Sequence, residues 1–352
     1  MKKIISILLL CVLAAGVCVF CIMSAKKTTI TYSLYPYLPD EDSYCAVIED
    51  NWEKLHPETT LQYVDYNCYE DGAPEGIDVI MYDACMESYF VENGYLKSIE
   101  ESEINNADDF FDFTVDDLYT DGKLYGIPAN MCSTFLLYDK SRYEAPSHLD
   151  ELLEIKGEVM APVDSYKDYY YVDACIDSGE EYLTDYNFTK GNYNNSESYS
   201  SLQQFYEICD PSSVSCDGND IAEQYGQGEG LAYFGFSETL RFADERIGDT
   251  GITSVSFSDD DNTVMFYVDA VGISSRVDDK KTPVCLDLMN LIASSDVMEQ
   301  ACRSDTGYNY LIFPRISFYE QTNDSYGLYD DIFDIIENGN NRVFRYSSSY
   351  YQ

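Results

Sequence analysis

The chain has 352 residues, 45% of them apolar and including 17 Phe and 34 Tyr, enough for about two domains with buried cores, so disorder does not dominate. Sixty-four Asp and Glu against 21 Lys and Arg give a net charge of −43, a field that repels phosphate backbones and excludes nucleic acid as a partner. The two histidines, His56 and His148, cannot supply a three-histidine zinc site and leave few bases for a Ser-His-Asp triad, so chemistry must lean on carboxylates, Tyr and Cys.

Lys2 and Lys3 precede an apolar run from Ile4 to Met23, which Lys26 and Lys27 close. That pattern is an export signal. The run is also long enough to span a bilayer, and Leu13 to Gly16 is out of register with Cys18 for lipoprotein cleavage. Residues 1–27 are therefore read as a signal peptide or membrane anchor, and the rest as secreted or attached to the outer face of the cell membrane. Membrane contact is expected only through that segment, if it is retained. Cys18 and Cys21, inside the run, read as apolar filler rather than a redox motif.

Thr29 to Leu34 reads as a strand. Asp40 to His56 reads as a helix: an acidic start suits the dipole, Cys45, Ile48, Trp52 and Leu55 recur at three and four residues, and Pro57 stops it. A strand from Thr60 to Tyr66 follows. Ile77 to Tyr82 is a short apolar run of the kind buried in a parallel sheet, and Met86 to Tyr95 is a helix ending near Gly94. After a Gly turn and Pro128 comes the apolar run Phe135 to Tyr138. From Tyr143 to Gly230 the composition shifts to Tyr, Asp, Asn and Ser, which marks a second domain.

Ser254 to Phe257, the acidic turn Asp259 to Asn262, and Thr263 to Ile273 read as a hairpin; the turn lacks EF-hand spacing and reads as solvent-facing rather than calcium-binding. Pro283 to Ser294 is a further helix. Strands alternating with helices make the fold class α/β, and two such lobes in an exported chain suggest a solute-binding architecture with a cleft. The lobes are placed at 28–140 plus about 265–310, and at 141–264 plus about 311–352.

Nine cysteines follow the leader: Cys45, Cys68, Cys85, Cys132, Cys175, Cys209, Cys216, Cys285 and Cys302. In an oxidising setting some could pair, Cys209 with Cys216 most easily, and the odd number leaves at least one thiol over as a candidate nucleophile.

Four segments, Tyr35-Pro36-Tyr37-Leu38-Pro39-Asp40, Asp78-Val79-Ile80-Met81-Tyr82-Asp83-Ala84, Tyr125-Gly126-Ile127-Pro128-Ala129-Asn130-Met131-Cys132 and Tyr233-Phe234-Gly235-Phe236-Ser237-Glu238, with Phe266-Tyr267-Val268-Asp269 as a fifth, together resemble the thiaminase I (thiamine pyridinylase) family in order and spacing. The resemblance runs from about residue 30 to about residue 275. It implies a two-lobed type II periplasmic-binding-protein-like fold, and replacement of the thiazole of thiamine by an external pyridine, amine or thiol, with no cofactor and no metal, in a monomer. Cys132 would be the nucleophile, and Glu238 the base that deprotonates it and later protonates the leaving thiazole. Asp83 and Asp269 would contact the aminopyrimidine, Tyr35, Tyr69 and Tyr267 would line the cleft, and Asp112 lies about one residue from a further family carboxylate. Phe236 departs from the family, which favours Tyr there.

Taken alone, each of these residues also has a plainer reading. Cys132 could be a small buried apolar residue, Glu238 a helix-dipole charge, and any one tyrosine of 34 simple packing. Asp269, within an apolar strand, must face solvent or meet a partner. The covalent route needs these groups: a thiolate adds to C6 of the pyrimidine, the thiazole leaves, and a nucleophile takes its place. A base beside Cys132 is expected to raise its thiolate fraction. Two other functions fit export and an aromatic cleft, a solute-binding protein without catalysis and a tyrosine-rich sugar-binding or adhesion protein; sequons at Asn187, Asn194 and Asn323 do not decide between them.

Overall fold

The computed structural model describes residues 27–180, 197–258, 263–304 and 307–345. The leader, the sequons at Asn187 and Asn194 and the acidic turn lie outside the described residues.

A parallel βαβ unit opens the chain. Strand β1 (Thr28–Ser33) leads into helix α1 (Glu41–Leu55), whose Glu41 and Asp42 meet the positive end of the dipole, and returns as β2 (Thr59–Tyr63), parallel to β1. The buried stripe of α1 is Tyr44, Ile48 and Trp52. These three residues, spaced by four, keep Ile48 and Trp52 of the expected face but place Tyr44 rather than Cys45 in it, and Leu55 is exposed. Strand β3 (Val79–Asp83) is buried throughout and joins β1 in parallel. A 3-10 turn, Ala84–Met86, and the helix Glu87–Glu92 follow, ending at Gly94 with φ +67, where a residue without Cβ is unstrained.

Four short strands come next: β4 (Leu96–Lys97), the ribbon of β5 (Tyr119–Thr120) and β6 (Lys123–Leu124), and then the longer β7 (Gly126–Cys132). A single residue, Ser133, separates β7 from β8 (Thr134–Asp139), yet the two strands belong to different sheets. The second sheet has the order β11-β8-β10-β9, with β9 (Val159–Met160), β10 (Ala232–Phe236) and β11 (Thr250–Thr253). Helix α2 (Val163–Asp177) and helix α3 (Glu197–Ile208) cover it, and Phe205 is the contact point, 4.6 Å from the Tyr170 ring and 5.0 Å from Phe234.

Strand β12 (Thr263–Ser274) returns to the first sheet and is its spine. The expected hairpin with Ser254 to Phe257 does not form; that stretch makes only an isolated parallel bridge, Ser256 to His148, while β12 pairs with β3, β4, β7 and β15. Its nearly continuous apolar character is satisfied by neighbours on both edges, which a two-stranded hairpin could not supply. Helix α4 (Thr282–Ile292), the ribbon β13 (Arg303–Ser304) and β14 (Gly307–Tyr308), helix α5 (Leu328–Asn338) and strand β15 (Asn340–Val343) complete the chain. Helix α5 packs on β11 of the second sheet, but β15 pairs with β12 of the first, so the tail after residue 311 serves both sheets rather than the second alone.

The pairing of Cys209 with Cys216 is absent, and among the described residues none of the nine cysteines is in a disulfide. Cys209 is buried at the end of α3, whereas Cys216 is partly exposed beside Ser212 and Gln224.

Candidate active site

Side chains alternate along a strand, so in a sheet covered on both faces a residue that keeps solvent contact marks a gap in the cover. In β12 only Tyr267 and Asp269 are partly exposed, and in β7 only Cys132. In β10 only Phe236 is, followed by Glu238 in the 3-10 segment Ser237–Phe242.

The ladders bring these residues together. Asp269 is opposite Asp83 on one side and Asn130 on the other, and Tyr267 is opposite Cys132. The register with β7 is regular from Tyr267 to Asp269, so Asn130 and Cys132 face the same stretch of β12 by two-residue alternation, and it shifts in a bulge only between Asp269 and Ala270. Gly126, at the start of β7, permits the close approach behind this row: a Cβ there would lie 2.7 Å from the Tyr82 hydroxyl.

Asp83 accepts a short hydrogen bond from the Tyr69 hydroxyl and one of 2.9 Å from the Cys85 N–H. Tyr69 is 3.1 Å, hydroxyl to hydroxyl, from Tyr35. The exposed Tyr37 ring rests against both, at 5.7 and 6.0 Å, so an aromatic rim leads down to Asp83. Asn130 Oδ1 accepts from the buried Tyr44 hydroxyl at 3.2 Å, while Nδ2 has no hydrogen-bond partner although the amide is near enough to Asp269 to favour its charge.

Burial holds Asp269 well above the ordinary carboxylate range, the charge of Asp83 adding to it and Asn130 opposing. Asp83 is also raised by burial, against the pull of Tyr69 and Cys85. Glu238 is raised by burial, opposed by its own backbone N–H and by Arg241, and its Oε2 has no hydrogen-bond partner. Burial, then Glu238, Asp269 and Asp83, push the Cys132 thiol well up. The expected gain in thiolate is therefore reversed, because burial disfavours the thiolate and the neighbouring base is a carboxylate whose charge repels it further.

Seven of the eight expected residues thus converge: Cys132, Glu238, Asp83, Asp269, Tyr35, Tyr69 and Tyr267. Asp112 does not; it is exposed at the first residue of the short helix Asp112–Asp116. The acid of that segment whose field reaches Asp83 is Asp117, ion-paired with Arg345 Nε at 2.7 Å. Sequence reasoning missed Asn130, although two-residue alternation from Cys132 places it on the same face. It also missed Tyr166 and Tyr169 of α2, partly exposed on one helical face and close enough to feel the Cys132 charge, because their segment is rich in tyrosine throughout. A thiol, a carboxylate with an unpartnered Oε2 and two facing acids whose ionisation burial opposes suit nucleophilic attack on a cationic or amidine-like ring.

The sequence profile of the bacterial extracellular solute-binding proteins matches residues 70–314. Thiaminase-1 of Paenibacillus thiaminolyticus is 26% identical over 349 residues, covering 92% of this chain and 84% of its own. The structure of Clostridium botulinum thiaminase I in complex with thiamin superposes with a TM-score of 0.80 at 26% identity, covering 92% of this chain and 95% of that one. Maltose-bound MalE3 of T. maritima shares the fold, with a TM-score of 0.68 at 14% identity, covering 92% and 90%.

Proposed function

The chain belongs to the bacterial extracellular solute-binding protein family, and from that premise we propose that it is an exported thiamine-degrading transferase rather than a binding module. The observation that carries this function is the closeness of Cys132 to Glu238, a thiol within the field of a carboxylate whose Oε2 has no hydrogen-bond partner, with Asp83 and Asp269 near enough to act on the same thiol. Capture of a solute needs no such pair. Among the described residues no helix is long and apolar enough to cross a membrane.

In this function the aminopyrimidine lies against Asp83, Asp269, Tyr35, Tyr69 and Tyr267, between the lobe built around 28–140 and 265–310 and the lobe built around 141–264. The acid pair keeps a ring nitrogen protonated, which makes C6 electrophilic. Glu238 takes the thiol proton and the thiolate adds to C6. The C–N bond to the thiazolium breaks with its electron pair going to nitrogen, so the thiazole leaves as a neutral base and an exocyclic methylene remains. A nucleophile forms its bond to that carbon, the C6–S bond breaks, and the pair returns to sulfur. Charge balance does not require the expected protonation of the leaving thiazole, and the proton held by Glu238 returns to Cys132. The cationic substrate itself offsets the carboxylates that hold the thiol protonated in the empty site.

Incubation with thiamine and aniline, with free thiazole followed by chromatography, tests this directly. The alternative, a solute-binding protein for thiamine or another small molecule, predicts saturable binding with no thiazole released.

A further inference from the structure

Cys132 belongs to the first sheet and Glu238 follows a strand of the second, so the angle between the sheets sets the distance between thiol and carboxylate. Two of the passages that join the sheets meet at the last turns of α2. Ser133 carries the chain from β7 to β8, and the next residue, Thr134, donates its hydroxyl to Asp173 at 3.0 Å. The chain returns between β11 and β12. There Asp177 accepts the N–H of Phe257 at 2.7 Å on one oxygen and that of Thr263 at 2.9 Å on the other. One helix end thus holds both passages, each by a carboxylate.

The two carboxylates are one turn apart on α2 and line the same cavity of about 20 Å³, which leaves little solvent to screen them. Among the described residues lining it no other side chain is titratable or charged, and Tyr170, on the preceding turn, feels the Asp173 charge. Asp177, with two N–H donors, has the partners a carboxylate needs. Burial, then the charge of Asp177, push Asp173 up to about 8, with Thr134 opposing. Near neutral pH Asp173 therefore keeps a proton, and its ionisation sets two like charges against each other between the passages.

Resting on the function proposed above, we propose that Asp173 and Asp177 are positioning residues for the transfer: together they hold the two passages at the angle that brings Cys132 to Glu238. Both act through the sheets they tie. While Asp173 carries its proton, the passages sit side by side and the cleft stays closed around the substrate. Once Asp173 ionises, it repels Asp177, the passages part, and the thiol is drawn away from its base.

Two readouts between about pH 7 and about pH 9 test this: kcat per folded molecule at saturating thiamine and aniline, and the radius of gyration by small-angle X-ray scattering. Asp173→Asn keeps an amide oxygen for Thr134 and cannot ionise. The wild-type kcat relative to this variant should fall about tenfold over that range, since a group that ionises near pH 8 keeps about a tenth of its protons one unit higher. The wild-type radius should rise with it, while that of the variant stays constant. Thr134→Val removes a donor that favours the charged form of Asp173, so the expansion should move to higher pH; this variant decides the matter should Asp173→Asn fail to fold. A constant kcat ratio, a wild-type radius that does not rise, or a rise that the variants leave unmoved means that the pair only supports the fold, and overturns the inference. Should the wild type release no thiazole, the functional proposal falls alone, because the scattering still decides whether the pair holds the sheets.

Discussion

Asp83 and Asp269 stand directly opposite each other in the ladder between β3 and β12, two carboxylates on neighbouring strands inside the molecule. Opposed residues in an antiparallel pair bring their Cβ atoms to about 5 Å, so the two charges cannot both form cheaply there. Burial raises both groups, and the charge of Asp83 raises Asp269 further.

Replacing Asp269 by Asn should weaken thiazole release while leaving the melting temperature equal or higher, since a buried repulsion is removed. The pH dependence follows from the sign of the shift. A raised folded pKa means that the native state binds the proton more tightly, so its stabilisation is complete below the unfolded value and fades as pH rises toward the folded one. Wild-type protein should therefore melt higher at about pH 5 than at about pH 8, and Asp269→Asn should narrow that gap. An unchanged gap, read by calorimetry, would place the retained proton elsewhere.

Glu238→Gln separates the field of the carboxylate from its service as a base. Turnover should fall by roughly 10² to 10⁴, the usual contribution of a positioned base. The Cys132 thiol is raised in part by the Glu238 charge. Its alkylation by neutral iodoacetamide should therefore be slow in the wild type and faster in the variant. Slower alkylation in the variant would show that Glu238 already withdraws the proton in the empty site.

Cys132→Ser should abolish turnover, because an alkoxide forms with more difficulty than a thiolate and leaves less readily. With thiamine and no added nucleophile, intact mass should show a pyrimidine adduct on the wild-type protein alone, and peptide mapping should place it on Cys132. Cys45 and Cys216, the other partly exposed thiols, are the controls for chance labelling. An adduct mapped to either would remove Cys132 from the nucleophilic role.

A fourth expectation concerns the scaffold. Arg246 pairs with the buried Asp139 at 2.6 Å, donates to the Tyr225 carbonyl at 3.1 Å and lies 4.1 Å over the Tyr225 ring. Arg246→Met strands the Asp139 charge and should cost about 3 to 5 kcal/mol of stability. Asp139 is held below its ordinary value by Ser141 and Arg246 against burial, so this contribution is present above the unfolded pKa and is lost as pH falls. Chemical denaturation should show that loss, with kcat per folded molecule unchanged.

Local pattern alone carried much of the molecule. The βαβ opening, the buried strand ending at Asp83 and the helix after Pro283 follow from periodicities that a few neighbouring residues express whatever lies around them. The five motifs hold six of the seven residues that the fold brings together; the seventh, Tyr69, lies between the first two motifs. What they could not give is who faces whom. Asp269 meets Asp83 and Asn130 only because β12 is placed between β3 and β7, and no stretch of β12 itself distinguishes that placement from the hairpin its sequence suggested. Asp112 stands exposed and apart from the others, and Tyr166 and Tyr169 were hidden by a segment rich in tyrosine throughout. The reversed expectation for the Cys132 thiol has a tertiary origin: the burial that raises it most, and then the charges on Glu238, Asp269 and Asp83, come from packing with segments about 50 to 140 residues away along the chain.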